Sequence, residues 1–161
     1  MKNISFALTT LQAYAQCKTV TRRFGWWDLK PDTYLQGVVK GMGLRKGEQV
    51  QKIHVIYPTA VAPEPLRRIV DFPAYGEVEM IQEGFPNMTP AQFVEMICDT
   101  HKGKTPDSII NRIAFEYLSP TPICRCGASE WWVDKKDVIR CAMSACNSTF
   151  VEVYPQLAGA K

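Results

Sequence analysis

No apolar run in this chain approaches the roughly 18 residues that a membrane-crossing helix needs, so no membrane partner is expected. Internal repeats are lacking, which sets aside solenoids and propellers. Strand and helix patterns do not alternate in a βαβ rhythm, so a doubly wound parallel sheet is not expected. The glycine-bearing run Gly41-Met42-Gly43-Leu44-Arg45-Lys46-Gly47 is no dinucleotide fingerprint: its spacing is wrong and a strand follows it where a helix should. It reads as a long hairpin turn. A secretory leader is poorly supported too. Ile4 to Leu8 offers only about five apolar residues where roughly 7–15 are used, and Thr9, Thr10 and Gln12 break any continuation of the run. The expectation is a cytoplasmic protein with reduced thiols.

What is present is ordinary in amount and uneven in placement. The 161 residues suit one main domain with a small appendage. Eleven prolines and ten glycines imply many turns and few long helices. The net charge of +3 conceals an asymmetry: residues 1–55 carry nine Lys/Arg against three Asp/Glu, and residues 56–161 carry ten against thirteen. A basic N-terminal part suits an anionic partner such as phosphate or nucleic acid, and equally suits a solvated surface.

Four of the six cysteines crowd together as Cys124-x-Cys126 and Cys141-x4-Cys146. Two close pairs some fifteen residues apart, each on a tight turn with a hairpin between, is the pattern of a zinc ribbon. Trp131–Val133 supplies one expected strand, Asp134–Asp137 the turn, Val138–Arg140 the return, and Phe150–Tyr154 a third strand. The one-residue gap in the first pair makes its turn tight, and Gly127 is expected to relax the backbone behind it. Four thiolates leave no open position, so the zinc would be structural. Two disulfides or unliganded thiols are the competing readings. Of the other two cysteines, Cys98 falls on an apolar helix face, and the basic segment after Cys17 is expected to lower its thiol pKa.

Over residues 1–118 the patterns predict a small mixed α+β barrel with flanking helices. Expected strands are Ile4–Leu8, an extended Lys18–Arg23, Tyr34–Lys40, Gln51–Ala60 and Ser108–Leu118. Expected helical segments run from Thr9 or Thr10 to Gln16, over Glu64–Val70 and over Glu77–Glu83. Thr89-Pro90-Ala91-Gln92 opens another, with a threonine cap, proline at the first position and glutamine three after the cap. Ser119–Pro122 is a stiff linker into the cysteine module, residues 123–155. His54 reads as a core or edge histidine, and His101 as a partner for a helix end.

Lys18-Thr19-Val20-Thr21-Arg22-Arg23, Trp26-Trp27, Leu29-Lys30-Pro31, Glu64-Pro65-Leu66, Glu83-Gly84-Phe85-Pro86, Met88-Thr89-Pro90 and Arg112-Ile113-Ala114-Phe115-Glu116 occur in that order. Together they resemble the ASCH (activating signal cointegrator homology) family over residues 3–118, in particular its bacterial and phage members. The cysteine module lies outside the resemblance. The resemblance implies a PUA-like β-barrel whose cleft binds RNA or modified nucleotides. One branch of the family hydrolyses N4-acetylcytidine with a lysine, a threonine and a glutamate. Lys18 and Thr21 match the first two, and Glu83 is the nearest counterpart of the third.

Two functions of different kind are then open. In the first, a cleft lined by Lys18, Arg22, Arg23 and one of Trp26 and Trp27 binds RNA or a modified nucleotide, with Arg125, Lys135, Lys136 and Arg140 adding phosphate contacts from the ribbon. In the alternative, Thr21 attacks an acyl amide, neutral Lys18 takes its proton, and Glu83 orients the lysine or serves the leaving amine. A protein partner docking on the ribbon is a third reading. The bland reading leaves Lys18 and Arg22 on phosphate, Thr21 on local backbone and Glu83 on a basic neighbour.

Overall fold

The computed structural model describes residues 1–159. Five strands form one curled half-barrel: β1 (Lys2–Ser5), β2 (Val20–Arg23), β3 (Leu35–Val38), β4 (Lys52–Pro65) and β5 (Ile109–Tyr117). Their order is β1-β3-β4-β5-β2, with β1 and β3 parallel and the other neighbours antiparallel. Helices α1 (Thr10–Tyr14), α2 (Arg68–Asp71), α3 (Pro73–Glu83) and α4 (Pro90–Thr100) flank the sheet. The α+β class and flanking helices match the sequence reading.

Several boundaries move, each for a physical reason. The first strand is Lys2–Ser5 and not Ile4–Leu8, because the chain turns immediately after it, with Thr9 N donating to Phe6 O at 2.9 Å. β4 runs past Ala60 to Pro65 and carries three prolines, Pro58, Pro63 and Pro65. Beyond Ile56 it no longer pairs with β3 and keeps only β5, so its second edge is free and a residue without an N–H is tolerated there. Glu64 and Pro65 therefore close a strand and do not open a helix. Thr89 caps α4 as expected, with its side chain and that of Gln92 exchanging bonds with each other's backbone N–H.

Three apolar clusters hold these elements. Ile4, Phe6, Leu35, Ile56 and Phe115 fill the inner face of the sheet. Leu66, Ile69, Met80, Phe93, Val94 and Ile110 bind the helices to it, and Cys98 packs at that cluster's edge. The third cluster belongs to the cysteine module. There β6 (Trp131–Val133) and β7 (Ile139–Cys141) form the expected hairpin.

The expected third strand is instead a helix, α5 (Phe150–Val153). Thr149 caps it in a reciprocal capping box with Glu152, and this local bonding overrides the β-rich composition of the segment. The helical spacing also brings Phe150 and Tyr154 onto the Trp131 ring, at 4.8 and 6.3 Å between centroids. Gly127 adopts φ +91°, the left-handed conformation that the tight first cysteine turn required.

Candidate functional site

The site is built where β2, the C-terminal end of α3 and the start of α1 converge. Lys18 is anchored through its backbone: Thr19 N donates to Gln82 O at 2.9 Å, and Tyr117 Oη donates to Lys18 O at 2.6 Å. Its ammonium donates to Glu83 Oε2 at 2.8 Å and to Glu83 O at 2.6 Å, with both residues buried. Burial pushes the Lys18 pKa below its ordinary 10.5. The Glu83 carboxylate pulls it back up, and Arg23 and Arg22 push it down again.

Beneath this pair lies an ionic network that the sequence reading missed. Arg22, with a fully buried side chain, donates to Glu64 Oε1 at 2.7 Å, Glu79 Oε2 at 2.6 Å and Glu83 Oε1 at 3.2 Å. Arg112 grips Glu79 from the other side at 2.7 Å, and Tyr75 Oη donates to Glu64 Oε2 at 2.9 Å. Burial alone would raise the Glu79 pKa, but the Arg112 and Arg22 guanidiniums override it and hold the carboxyl below the usual range. Glu79 and Glu83 stand four apart on α3, one turn above each other on one face. That spacing, opposite a basic β-strand, was the available signal. Arg22, expected at a phosphate, is an internal residue that fixes the position of Glu83.

Lys18, Thr21, Arg23 and Glu83 line one cavity of about 110 Å³, walled on its apolar side by Phe85, Phe93, Met96 and Ile97 and closed by Ser5–Thr9. The structure thus brings the three candidate catalytic residues together. Thr21 is buried as a residue, but its hydroxyl oxygen is not among the fully enclosed unpartnered atoms, and no described side-chain hydrogen bond involves it. Arg23 lines the same cavity and donates through Nη2 to Ser5 O.

Trp26 and Trp27 lie elsewhere, in a turn after β2 and not on a strand. Trp26 has φ +60° and packs partly against the sheet core, with its carbonyl accepting from Asn111 Nδ2 at 2.8 Å. Trp27 is 56% exposed. Together with Lys2, Leu29 and Tyr34 they border a separate groove of about 590 Å³.

The four module cysteines are gathered. Their sulfurs all lie within 4.8 Å of one another, with Cys124–Cys146 at 3.6 Å and Cys126–Cys141 at 3.5 Å. A tetrahedral ion with Zn–S bonds of ~2.3 Å holds its sulfurs ~3.8 Å apart, whereas a disulfide needs ~2.05 Å. The cluster could therefore hold one metal ion such as zinc, and none of the described cysteines is in a disulfide. Two of the ribbon's expected phosphate ligands are tied internally: Arg140 Nε to Asp134 Oδ2 at 2.5 Å, and Arg125 Nη2 to Glu152 O at 2.9 Å. Lys135 and Lys136 are exposed.

The module packs directly on the elements that frame the cavity. Ala15, Leu11, Tyr14 and Cys17 share its apolar cluster with Cys124, Trp131 and Phe150. Gln16 Nε2 donates to Ser119 O and Pro120 O, each at 3.1 Å, and Asn87 Nδ2 donates to Asp134 O and Asp137 Oδ1, each at 2.7 Å. Burial among these groups pushes the Cys17 thiol up to about 12, which overturns the expected lowering; Lys18 next to it opposes this only weakly. His54 bonds Tyr14 O at 3.1 Å between Tyr14 and Tyr117, as a structural histidine, and His101 Nδ1 meets Ile97 O at 2.9 Å at the end of α4.

No protein-family model and no curated protein matches the chain. Among solved structures, it is similar to the crystal structure of protein EF3133 from Enterococcus faecalis V583, of the family DUF984. The two are 16% identical with a TM-score of 0.44, over 69% of this chain and 70% of that one. No described helix is long and apolar enough to cross a membrane.

Proposed function

We propose that this protein is an ASCH-type, PUA-like protein that binds an acylated pyrimidine nucleoside in the Lys18–Thr21–Glu83 cavity and hydrolyses its N4-acyl amide. The observation that carries the proposal is a buried lysine bonded to a buried glutamate in the wall of the cavity that holds an unengaged threonine hydroxyl. A lysine serves as a base only when its pKa is brought down, and burial does that here.

Thr21 Oγ forms a bond to the amide carbonyl carbon while its proton passes to neutral Lys18 Nζ. The C–N bond then breaks, and the cytosine amine leaves with the proton that Lys18 returns. Water attacks the acyl-threonine ester and releases the carboxylic acid and the free hydroxyl. Glu83, held by Arg22 on one oxygen and Lys18 on the other, orients the ammonium and stabilises it once protonated. The size of the cavity agrees with this. Protein cavities of ~150 Å³ hold benzene, so about 110 Å³ takes an acyl group, with the ring and sugar toward its open side.

The cysteine module would hold its zinc through Cys124, Cys126, Cys141 and Cys146 as a structural ion, supplying folding energy and no chemistry. RNA binding is a second reading, favoured by the exposed Trp27 beside Trp26, Tyr34 and Lys2, an aromatic groove on which a base can stack.

The test is the rate of cytidine release from N4-acetylcytidine by wild type and by Lys18→Ala, Thr21→Ala and Glu83→Ala, each checked for fold by circular dichroism. Loss of turnover in all three is expected. Full activity in Thr21→Ala eliminates the nucleophile. For the RNA reading, affinity for single-stranded RNA should fall steeply with salt; an affinity indifferent to salt rules it out.

A further inference from the structure

The cavity adjoins a second, wider space. Leu8 and Phe85 also line a groove of about 530 Å³ whose polar side chains are Gln12, Asn87, Gln92 and Asp137. Gln12 lies on α1, Gln92 on α4 and Asn87 between α3 and α4, whereas Asp137 comes from the turn of the β6–β7 hairpin, inside the cysteine module. Among the described residues that line the groove, Asp137 is the one with a charged side chain.

Its carboxylate is set in place. Asp134 Oδ1 accepts from Lys136 N at 2.8 Å and from Val138 N at 3.0 Å, and Asp134 O accepts from Asp137 N at 3.0 Å, which fixes the turn. Asp137 has φ +58°, a conformation that aspartate and asparagine adopt more readily than most side chains. Asn87 Nδ2 then bonds Asp134 O and Asp137 Oδ1, each at 2.7 Å, and so ties the turn to the main domain. Asp137 Oδ2 has no partner among the described residues, and the residue is exposed.

What the groove still offers is mostly acceptor. Asn87 uses its amide nitrogen on the turn and keeps Oδ1, and Gln12 donates to Gly84 O at 3.3 Å and keeps Oε1. Gln92 retains its Nε2 donors, because its Oε1 serves the cap of α4. No lysine or arginine lines the groove among the described residues; Lys135 and Lys136, in the same turn, are exposed outside it. Such a wall suits hydroxyl groups, which donate, and opposes phosphate, which is anionic and only accepts. A carboxylate that accepts from a ribose hydroxyl is a recurrent arrangement in nucleotide sites.

We infer that Asp137 is a specificity residue through which the cysteine module reads the sugar of the guest. With the acyl group in the cavity, Asp137 Oδ2 accepts from a ribose hydroxyl in the adjoining groove and opposes a guest that carries phosphate there. The inference rests on the hydrolase reading for the position of the acyl group. It makes the guest a free nucleoside, and it gives the module a part in choosing the substrate and none in the chemistry.

The experiment has two arms. Asp137→Asn keeps an oxygen for Asn87 and suits the same φ, so metal content and fold should be unchanged. In the metal-loaded protein this variant raises KM for N4-acetylcytidine about tenfold, the loss of one hydrogen bond to a charged group, with kcat within about twofold. KM for N4-acetylcytosine, which has no sugar, does not move, and the wild-type preference for the nucleoside over its 5′-phosphate narrows. Equal KM shifts for nucleoside and free base, or none for the nucleoside, overturn the inference even where turnover proceeds. The second arm needs no variant to fold. In wild-type protein labelled with ¹⁵N, the Asn87 Nδ2 resonances move on saturation with cytidine and not with cytosine. Resonances that cytidine leaves unmoved, or that cytosine moves equally, overturn the inference whatever the rates. Movement specific to cytidine in a protein that turns over no acylated nucleoside overturns the hydrolase reading alone and leaves Asp137 as the sugar-reading residue.

Discussion

The residue on which most depends is Lys18, because its two roles pull in opposite directions. Burial disfavours its charge and makes it a base, while Glu83 favours the charge and keeps it a salt-bridge partner. Two consequences can be measured. Turnover should rise with pH along a limb whose midpoint lies below 10.5, since only neutral Lys18 accepts the Thr21 proton. Glu83→Gln removes the influence that raises the lysine, so the Lys18 midpoint followed by NMR should move to lower pH; a midpoint that rises contradicts the assignment. The fold obeys the same linkage. Between the folded value and 10.5 the unfolded chain binds the proton and the folded chain does not, so stability should increase with pH across that window. Arg22 is a different kind of residue, structural and internal. Arg22→Ala removes one partner from each of three buried carboxylates and should cost about 3–5 kcal/mol in denaturant unfolding. A loss below ~1 kcal/mol would mean that the carboxylates find other partners or water. Gly76→Ala is expected to be nearly as severe, because a Cβ there would stand 1.9 Å from the Ile69 carbonyl oxygen, where the turn between α2 and α3 has no room.

At the scale of elements, local bonding was more legible than composition. The capping box of α4 announced that helix, and the hairpin of the module was readable from its alternation and turn. The same capping signal stood at Thr149 and Glu152, yet Phe150-Val151-Glu152-Val153-Tyr154 read as a strand because its β-branched and aromatic residues alternate. The length of β4 was hidden by its prolines, whose acceptability depends on which neighbour each stretch of the strand keeps. Lys18 and Thr21 could be picked out in the sequence. The four-residue spacing of Glu79 and Glu83 was legible too, but the pairing of Glu64 and Glu79 with Arg22 and Arg112 was not, since it exists only once β4, α3 and β5 are assembled. The docking of the module was likewise invisible. It bonds Asn87, two residues from the cavity wall at Phe85, and packs on α1, just after the wall at Leu8 and Thr9. Chelation of the metal should therefore raise amide exchange at residues 131–141 and also at 85–88 and 10–17. Asn87→Ala should raise it at 85–88 alone with metal content unchanged. Unaltered protection at 85–88 after metal removal would show that the module and the cavity are energetically independent.

The whole molecule explains the uneven charge of its sequence. The basic N-terminal part supplies Lys18 and Arg22, the acidic remainder supplies Glu64, Glu79 and Glu83, and folding brings the two together inside the protein. Charge that suggested a surface for nucleic acid is thus partly neutralised within, while Lys2, Lys30, Arg45, Lys46 and Lys52 stay exposed. The most direct measurement of this account is mass spectrometry of a panel of acylated and unmodified nucleosides incubated with the metal-loaded protein. The account predicts that N4-acetylcytidine is converted to cytidine and acetate by wild type and is left intact by Thr21→Ala. An unchanged panel, or conversion that persists when Thr21 is replaced, would contradict it.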